Sequence, residues 1–349
     1  MRDVYTTVER KRIGLVKLMR RDIYKIKKQY FESVTYYEKL AENIVEALKM
    51  FLDEAGVSYL TINYRIKTFD SFLKKIERKS YTNPFEQMED ICGIRIICYY
   101  RSDIEQICDI ISSQFKILES QDKEELLDED QFGYRSHHFI IMIKDEWLAA
   151  PNYKYLGNIK AELQVRTNLM HTWAEIEHKL EYKKDDDIPT KFKRKFSRIS
   201  AMLEEADEQF EELREDIHAY RQEMLHHVIE EDDMTSEDNQ INMDTLRVFM
   251  DYYFPNQDKN SRLASRLVSQ LNELKITISD LKQFYKDSSH ILLQIENDAL
   301  ETFEGNYKWY QASSIITMLE LCCTAYQKKV GTRKGLEEII EKYKLTPDE

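Results

Sequence analysis

Residues 92–100 read CGIRIICYY and residues 161–167 read AELQVRT. The first is a short, mostly apolar run with Ile94, Ile96 and Ile97 at its centre and aromatics at its end, a strong strand signal. The second alternates. Successive side chains of a strand face opposite sides, so Glu162, Gln164 and Arg166 share one face while Ala161, Leu163 and Val165 share the other. A strand of that kind either borders solvent or lines a polar cleft. Working outward, residues 57–67, 115–118, 134–143 and 158–165 read as further strand signal. Residues 22–54 carry Ile23, Ile26, Tyr30, Val34, Tyr37, Leu40 and Ile44 at three- and four-residue spacing, which predicts a helix. Short helices are expected at 71–79, from an Asp103 cap to about 114, and from a Thr167 or Asn168 cap through LMHTWAEIEHKLEY.

A very long helix is predicted from Pro189 to Val228, with proline in the first turn, where its missing N–H costs nothing. The acidic, aperiodic stretch EEDDMTSEDNQ then reads as a boundary. Beyond it the pattern is helical, with Leu263, Leu267, Leu271 and Leu274 on one face. The expectation is an α+β domain over residues 1–228 and an all-α domain over 239–349.

Composition agrees. The chain has 349 residues, 42% hydrophobic and 33% charged, with 8 Gly and 5 Pro, as suits a helix-rich soluble protein of about two domains. No apolar run approaches the ~20 residues of a membrane span, and MRDVYTTVERKR lacks the apolar core of a signal peptide. Cys92, Cys98, Cys108, Cys322 and Cys323 have no CxxC spacing, which points to buried thiols in a reducing cytoplasm rather than to zinc. A net charge of −13 argues against a surface coated for nonspecific nucleic-acid binding. The charge is uneven: residues 10–28 and 191–198 are basic, 119–130 and 229–238 acidic. Such runs are ordinarily solvated helix faces.

Three constellations carry chemistry. Asp90 precedes the strand at Cys92. Glu162, Gln164 and Arg166 form a polar strand face. Tyr134, Ser136 and His138 share a face at the start of another strand, either as a stacking ring beside an imidazole suited to a nucleotide or as core side chains. His171, Glu175 and His178 form a helical stripe that could suggest a metal site, but the H-E-x-x-H pattern is absent.

The strings R-x-K-x-x-x-S-x-x-x-K (Arg65, Lys67, Ser71, Lys75), D-I-x-G-I-R (Asp90 to Arg95), G-Y-R-S-x-H (Gly133 to His138) and E-x-Q-V-R-T (Glu162 to Thr167) occur in order, followed by W-A-E-I-E-H-K-L-E-Y-K (Trp173 to Lys183). Over about residues 55–185 the chain resembles the synthetase domain of the RelA/SpoT family, the makers of (p)ppGpp. The resemblance implies a nucleotidyltransferase-like mixed five-stranded sheet flanked by helices. It implies transfer of the β,γ-diphosphate of ATP to the 3′-hydroxyl of GDP or GTP. By the same resemblance Arg65, Lys67, Ser71, Lys75 and Arg95 would hold ATP, and Asp90 and Glu162 would be catalytic and bind Mg²⁺. Tyr134, Arg135, His138, Gln164, Arg166 and His178 would face the acceptor, with Tyr134 stacked on its base. The chemistry is consistent: diphosphate transfer needs cations at the migrating phosphates and a positioned hydroxyl, and no covalent nucleophile.

Three departures bear on the acceptor and the product. The approach to G-Y-R-S, residues 127–132, is acidic where the family commonly has a lysine. Glu181 stands where small synthetases often carry Asn. No HD-type hydrolase segment is visible. A branch of the family pyrophosphorylates the 3′ end of tRNA, for which the basic stretch 10–28 would be the contact surface. A nucleotide-sensing module without catalysis is the third reading, against which the retained Asp90 and Glu162 stand. The C-terminal helical domain has no catalytic signature; regulation, a partner protein or homo-oligomer formation is expected of it from architecture alone.

Overall fold

Alternation along the strands gives one sheet two unlike faces. A computed structural model describes residues 2–122, 136–180, 189–229, 239–255, 261–302, 311–331, 333 and 335–344, with side chains described from residue 23 onward except at 190, 261, 311 and 312. Strands β1 (Tyr59–Ile66), β2 (Cys92–Cys98), β3 (Lys116–Asp122), β4 (His137–Met142) and β5 (Ala161–Thr167) lie in the order β1-β2-β5-β4-β3. β2 and β5 are parallel, and the other neighbours are antiparallel. Ile62, Ile94, Ile96, Phe139, Ile141, Leu163 and Val165 project from one face into a core shared with Leu40, Ile44 and Leu48 of helix α1 (Arg2–Glu54). Each such side chain, fully buried, contributes about 1.5–3 kcal/mol of hydrophobic stabilisation before entropy is counted. The opposite face keeps the polar residues.

Helices α2 (Phe69–Lys79), α3 (Pro84–Gln87), α4 (Arg101–Gln114), α5 (Asn168–Lys179) and α6 (Thr190–Ile229) complete this part. The mixed five-stranded sheet flanked by helices is the α+β architecture expected. Local expectations differ in three places. Helix α1 begins at Arg2, twenty residues ahead of the predicted start, because Arg, Lys and Leu are good helix formers and only Gly14 interrupts them. Asp103 is not the cap of α4. Tyr100 is, and the Asp103 carboxylate sits three positions on, accepting from the Tyr100 backbone N–H at 3.3 Å. β3 runs to Asp122, since pairing with β4 extends a strand that its acidic sequence does not advertise.

The chain divides into two compact units, Met1–Leu213 and Arg214–Glu349. The division falls within α6, upstream of the acidic stretch at 229–238. The second unit is helical among its described residues: α7 (Met243–Tyr253), α8 (Ser261–Glu273), α9 (Ile278–Thr302), α10 (Gln311–Cys322), α11 (Thr324–Val330) and α12 (Glu337–Lys342). Leu246, Phe249, Leu267, Leu271, Ile295 and Met318 are at its core. Phe249, Tyr253 and Phe254 pack there beside Tyr285, so that aromatic segment is core, whereas Tyr307, Trp309 and Tyr310 lie outside the described residues. The five cysteines are free, and burial pushes the Cys92 thiol up to about 12. No helix among the described residues is long and apolar enough to cross a membrane.

Candidate active site

Strand register turns the polar face into two rows. Across one row, Arg65 pairs with Gly93, Gly93 with Glu162, Glu162 with Ile140 and Ile140 with Glu119. The next row is Asn63, Arg95, Gln164, His138 and Gln121. Two clefts open on this face. One, of about 180 Å³, is bordered by Lys75, Tyr81, Glu89, Glu119 and His138. The other, of about 230 Å³, is bordered by Tyr64, Arg65, Gly93, Arg95, Gln164 and Glu175. The residues they share are Asp90 and Glu162.

Asp90 precedes β2 and receives two lysines: its Oδ2 lies 3.0 Å from Lys67 Nζ and 2.7 Å from Lys75 Nζ. Burial would raise its pKa, but the Lys75 and Lys67 ammonium groups outweigh it and hold the carboxyl below the usual range. Its Oδ1 is buried with no hydrogen-bond partner among the described residues. Lys67 is placed from behind, where the buried Tyr30 of α1 donates its hydroxyl proton to the Lys67 carbonyl. Lys75 comes from α2, whose first turn is capped by Thr68 accepting from the Ser71 N–H at 3.4 Å.

Glu162, in the first row, is hydrogen-bonded to Gln164 and His138 of the second. Arg166 donates to Gln164 Oε1, and Gln164 Nε2 donates to Glu162 Oε2 at 3.2 Å. On the other oxygen, Glu162 Oε1 is 3.1 Å from His138 Nδ1, and His138 Nε2 is 2.6 Å from the Ser136 hydroxyl. A carboxylate accepts only, so Nδ1 carries the imidazole proton towards Glu162. Burial would raise the Glu162 pKa and Asp90 adds repulsion; the hydrogen bonds from His138 and Gln164 prevail and keep it low. Both carboxylates are thus ionised and close enough to repel.

Arg95 is paired to Glu175 of α5 at 3.0 Å. Its Nε is buried and unpartnered among the described residues, as are Arg166 Nε and His171 Nδ1. Burial first, then Arg95, pull Arg166 down to about 10; burial, Arg95 and Arg166 likewise lower the His171 pKa. Glu175 is therefore committed to Arg95, and among the described residues no group of three or more His, Cys, Asp or Glu could hold a metal.

The sequence-derived set is brought together unevenly. Arg65 and Arg95 border one cleft, Lys75 and His138 the other; Gln164 sides with the arginines. Lys67 acts on Asp90 without bordering either cleft, and Ser71, Arg166 and His178 border neither. Tyr134, Arg135, Glu181 and the approach at 127–132 lie outside the described residues. Glu119 and Gln121 of β3 were missed; the alternation of ILESQD would have put them on one face had the strand been read to full length. Tyr81 and Glu89 come from loop segments with no periodic signal, and Gln87 from the four-residue helix α3.

Asp90 and Glu162 are the residues that would hold a hard, oxygen-seeking cation. Two ionised carboxylates repel, and Asp90 Oδ1 is buried with no hydrogen-bond partner among the described residues. Mg²⁺ is commonly held by one or two carboxylates, the remaining positions going to water and substrate phosphates.

A family model described as "Region found in RelA / SpoT proteins" matches residues 64–187. The chain is 29% identical over 166 residues to GTP pyrophosphokinase YjbM of Bacillus subtilis (strain 168), an alignment covering 47% of this chain and 75% of that protein. To GTP pyrophosphokinase YwaC of the same organism it is 33% identical over 129 residues, covering 36% of this chain and 59% of the relative. The crystal structure of the small alarmone synthetase 1 from Bacillus subtilis has 28% identity, covers 55% of this chain and 98% of that one, and gives a TM-score of 0.46. The matched segment supplies every residue bordering the two clefts except Asn63. Strand register, paired carboxylates and sequence match thus coincide on one stretch, residues 64–187, which matches the region found in RelA/SpoT proteins.

Proposed function

We propose that this domain, a pyrophosphokinase by family, transfers the β,γ-diphosphate of ATP to the 3′-hydroxyl of a guanine nucleotide. The observation that supports this most is that the clefts share Asp90 and Glu162. A two-substrate transfer needs donor phosphorus and acceptor oxygen to meet, and they would meet at that wall. Arg65 and Arg95 border one cleft, and Lys67 and Lys75 sit on Asp90 at the shared wall, so a triphosphate reaching that wall from the arginine side would meet four cations. Asp90 and Glu162 would hold Mg²⁺, which when bound offsets the charge of the migrating phosphates. Glu162, oriented by Gln164 and His138, takes the proton of the 3′-hydroxyl as its oxygen bonds to the β-phosphorus. The bond from that phosphorus to the α,β-bridging oxygen breaks, and AMP leaves with the electron pair. Incubation with γ-labelled ATP, Mg²⁺ and either GDP, GTP or tRNA tests the reading: label on the guanine nucleotide supports it, and label on RNA alone overturns the acceptor.

A second acceptor reading, the 3′ end of tRNA, is favoured by one feature. The cleft containing His138 is bordered by Glu89 and Glu119 besides the shared pair, a poor setting for a polyphosphate. An acceptor whose phosphates are bound elsewhere would avoid it. Replacing Lys17, Arg20 and Arg21 by Ala should then weaken RNA binding and flatten its salt dependence by roughly one unit of slope per lost phosphate contact. A guanine-nucleotide reaction should be indifferent to those changes. For the Arg214–Glu349 unit a regulatory or interaction role fits its all-helical core.

A further inference from the structure

Three acids border the cleft of Arg65 and Arg95, and the transfer uses only two of them. Asp90 and Glu162 form the shared wall; the third, Glu175, comes from α5 and is half-exposed. A carboxylate is a poor neighbour for a polyanion, because like charges repel more strongly in a cleft than in open water. Phosphates therefore belong at the wall, where Lys67 and Lys75 stand on Asp90, and not against Glu175.

Distance sets what lies against it instead. Arg95 stands two residues beyond Gly93 on β2, roughly 6.6 Å along the sheet at about 3.3 Å per residue, in the same row as Asn63. Glu175 sits at the tip of the Arg95 side chain, its Oε1 accepting from Arg95 Nη1 at 3.0 Å. A nucleoside triphosphate whose phosphates meet the Asp90–Glu162 wall has run out of phosphate over that span, so its base reaches Glu175.

Glu175 arrives there with one oxygen engaged. Arg95 takes Oε1 and so orients the carboxylate; Oε2 is the atom left to meet a ligand. Burial would raise the pKa of this group, but Arg95 outweighs it and holds the carboxyl below its usual range. An ionised carboxylate accepts hydrogen bonds and donates none. Adenine presents an amino group at C6, a donor, whereas guanine and hypoxanthine present an oxygen there. Oε2 bonds the first and repels the second. That difference matters when both substrates are purine nucleotides, since an acceptor entering the donor cleft blocks it, and specificity then comes from rejecting the wrong ligand. The competing account, in which Glu175 holds Arg95 and nothing else, treats every donor base alike.

We propose that Glu175 selects the donor by its base, Oε2 accepting a hydrogen bond from the 6-amino group of adenine and turning 6-oxo purines away. The assignment deepens the reaction given above and rests on the donor lying in the cleft of Arg65 and Arg95.

A comparison of donors tests it. The full chain, with Mg²⁺ and saturating GDP, is given γ-labelled ATP or γ-labelled inosine triphosphate, and kcat/KM is measured for each. The wild type should favour ATP by about 100-fold, the scale of a hydrogen bond to a charged group. Glu175→Gln, whose amide can turn its NH₂ towards a 6-oxo group, should cut that ratio by about tenfold or more, gaining on inosine triphosphate as it loses on ATP. Equal losses with both donors, at an unchanged ratio, would overturn the proposal and leave Glu175 as a holder of Arg95. A wild type indifferent to the base would overturn it as well. Calorimetric titration with the α,β-methylene analogues of the same two donors, with GDP present to occupy the acceptor cleft, separates the assignment from the reaction. An adenine preference in binding that Glu175→Gln abolishes supports the assignment even where no transfer occurs. Transfer with no such preference supports the reaction and sinks the assignment.

Discussion

Gly93 stands directly opposite Glu162 in the parallel β2–β5 pair, with Arg65 on its other side, and leaves a gap in an otherwise filled row. Neither backbone conformation nor close packing demands glycine there. A Cβ at Gly93 would meet nothing nearer than the Arg65 carbonyl oxygen at 3.8 Å, an ordinary contact. The space it leaves belongs to the cleft of Arg65 and Arg95. Gly93→Val should therefore fold with a thermal midpoint at or above wild type, since β-branched residues favour strands. Its affinity for ATP should drop by about tenfold or more, roughly 1.4 kcal/mol. Calorimetric titration with a non-hydrolysable ATP analogue measures this; unchanged affinity would remove the donor from that cleft.

Asp90→Asn and Glu162→Gln should each lower turnover by ~10³-fold or more, because each removes a charge required at the transferring phosphate. Both groups are cleft-facing and neither supports the core, so a proteolysis pattern like that of the wild type is expected. Near-normal turnover in either variant would remove that residue from the reaction.

The chain from Arg166 through Gln164 to Glu162 makes a different demand. Arg166 borders neither cleft and acts through Gln164. Arg166→Met should lower kcat by about 10–100-fold, the usual cost of losing an outer hydrogen bond to a catalytic ligand, with a smaller change in KM. A rise in KM with kcat preserved would instead place Arg166 on the acceptor.

How far the sequence announced this site depends on the element. The polar face of β5 followed from alternation alone: Ala161, Leu163 and Val165 are buried and Glu162 and Gln164 only half-buried, although Arg166 on the same polar face is buried too. Asp90, Lys67 and Lys75 could be grouped only through the family resemblance, because a loop, a strand end and a helix meet there by tertiary folding. Glu175 looked like part of a histidine stripe on α5. Only strand–helix packing shows that its partner is Arg95, eighty residues away. Long-range ion pairs leave no period in a sequence, so those assignments needed the fold.

Acid should test the Asp90 pair independently of catalysis. Its pKa is depressed in the folded chain, so its contribution to stability is complete above the unfolded value of about 3.9 and is lost as pH falls through the lower folded value. The thermal midpoint of the wild type should be flat from about pH 7 to pH 5 with respect to this group and should fall below about pH 4. In Asp90→Asn the fall should be shallower. An identical acid limb in both proteins would show that the lysine pair does not stabilise the fold.

The central claim is that one wall, Asp90 with Glu162, joins a donor cleft to an acceptor cleft. Quenched-flow transfer from γ-labelled ATP to GDP or GTP, run in parallel for wild type, Glu162→Gln and Gly93→Val, tests it most directly. The account predicts labelled diphosphate on the guanine nucleotide with release of AMP in the wild type. Glu162→Gln should bind ATP but not transfer, and Gly93→Val should transfer only at raised ATP. Transfer by Glu162→Gln at the wild-type rate, or no transfer by the wild type to any acceptor, would contradict it.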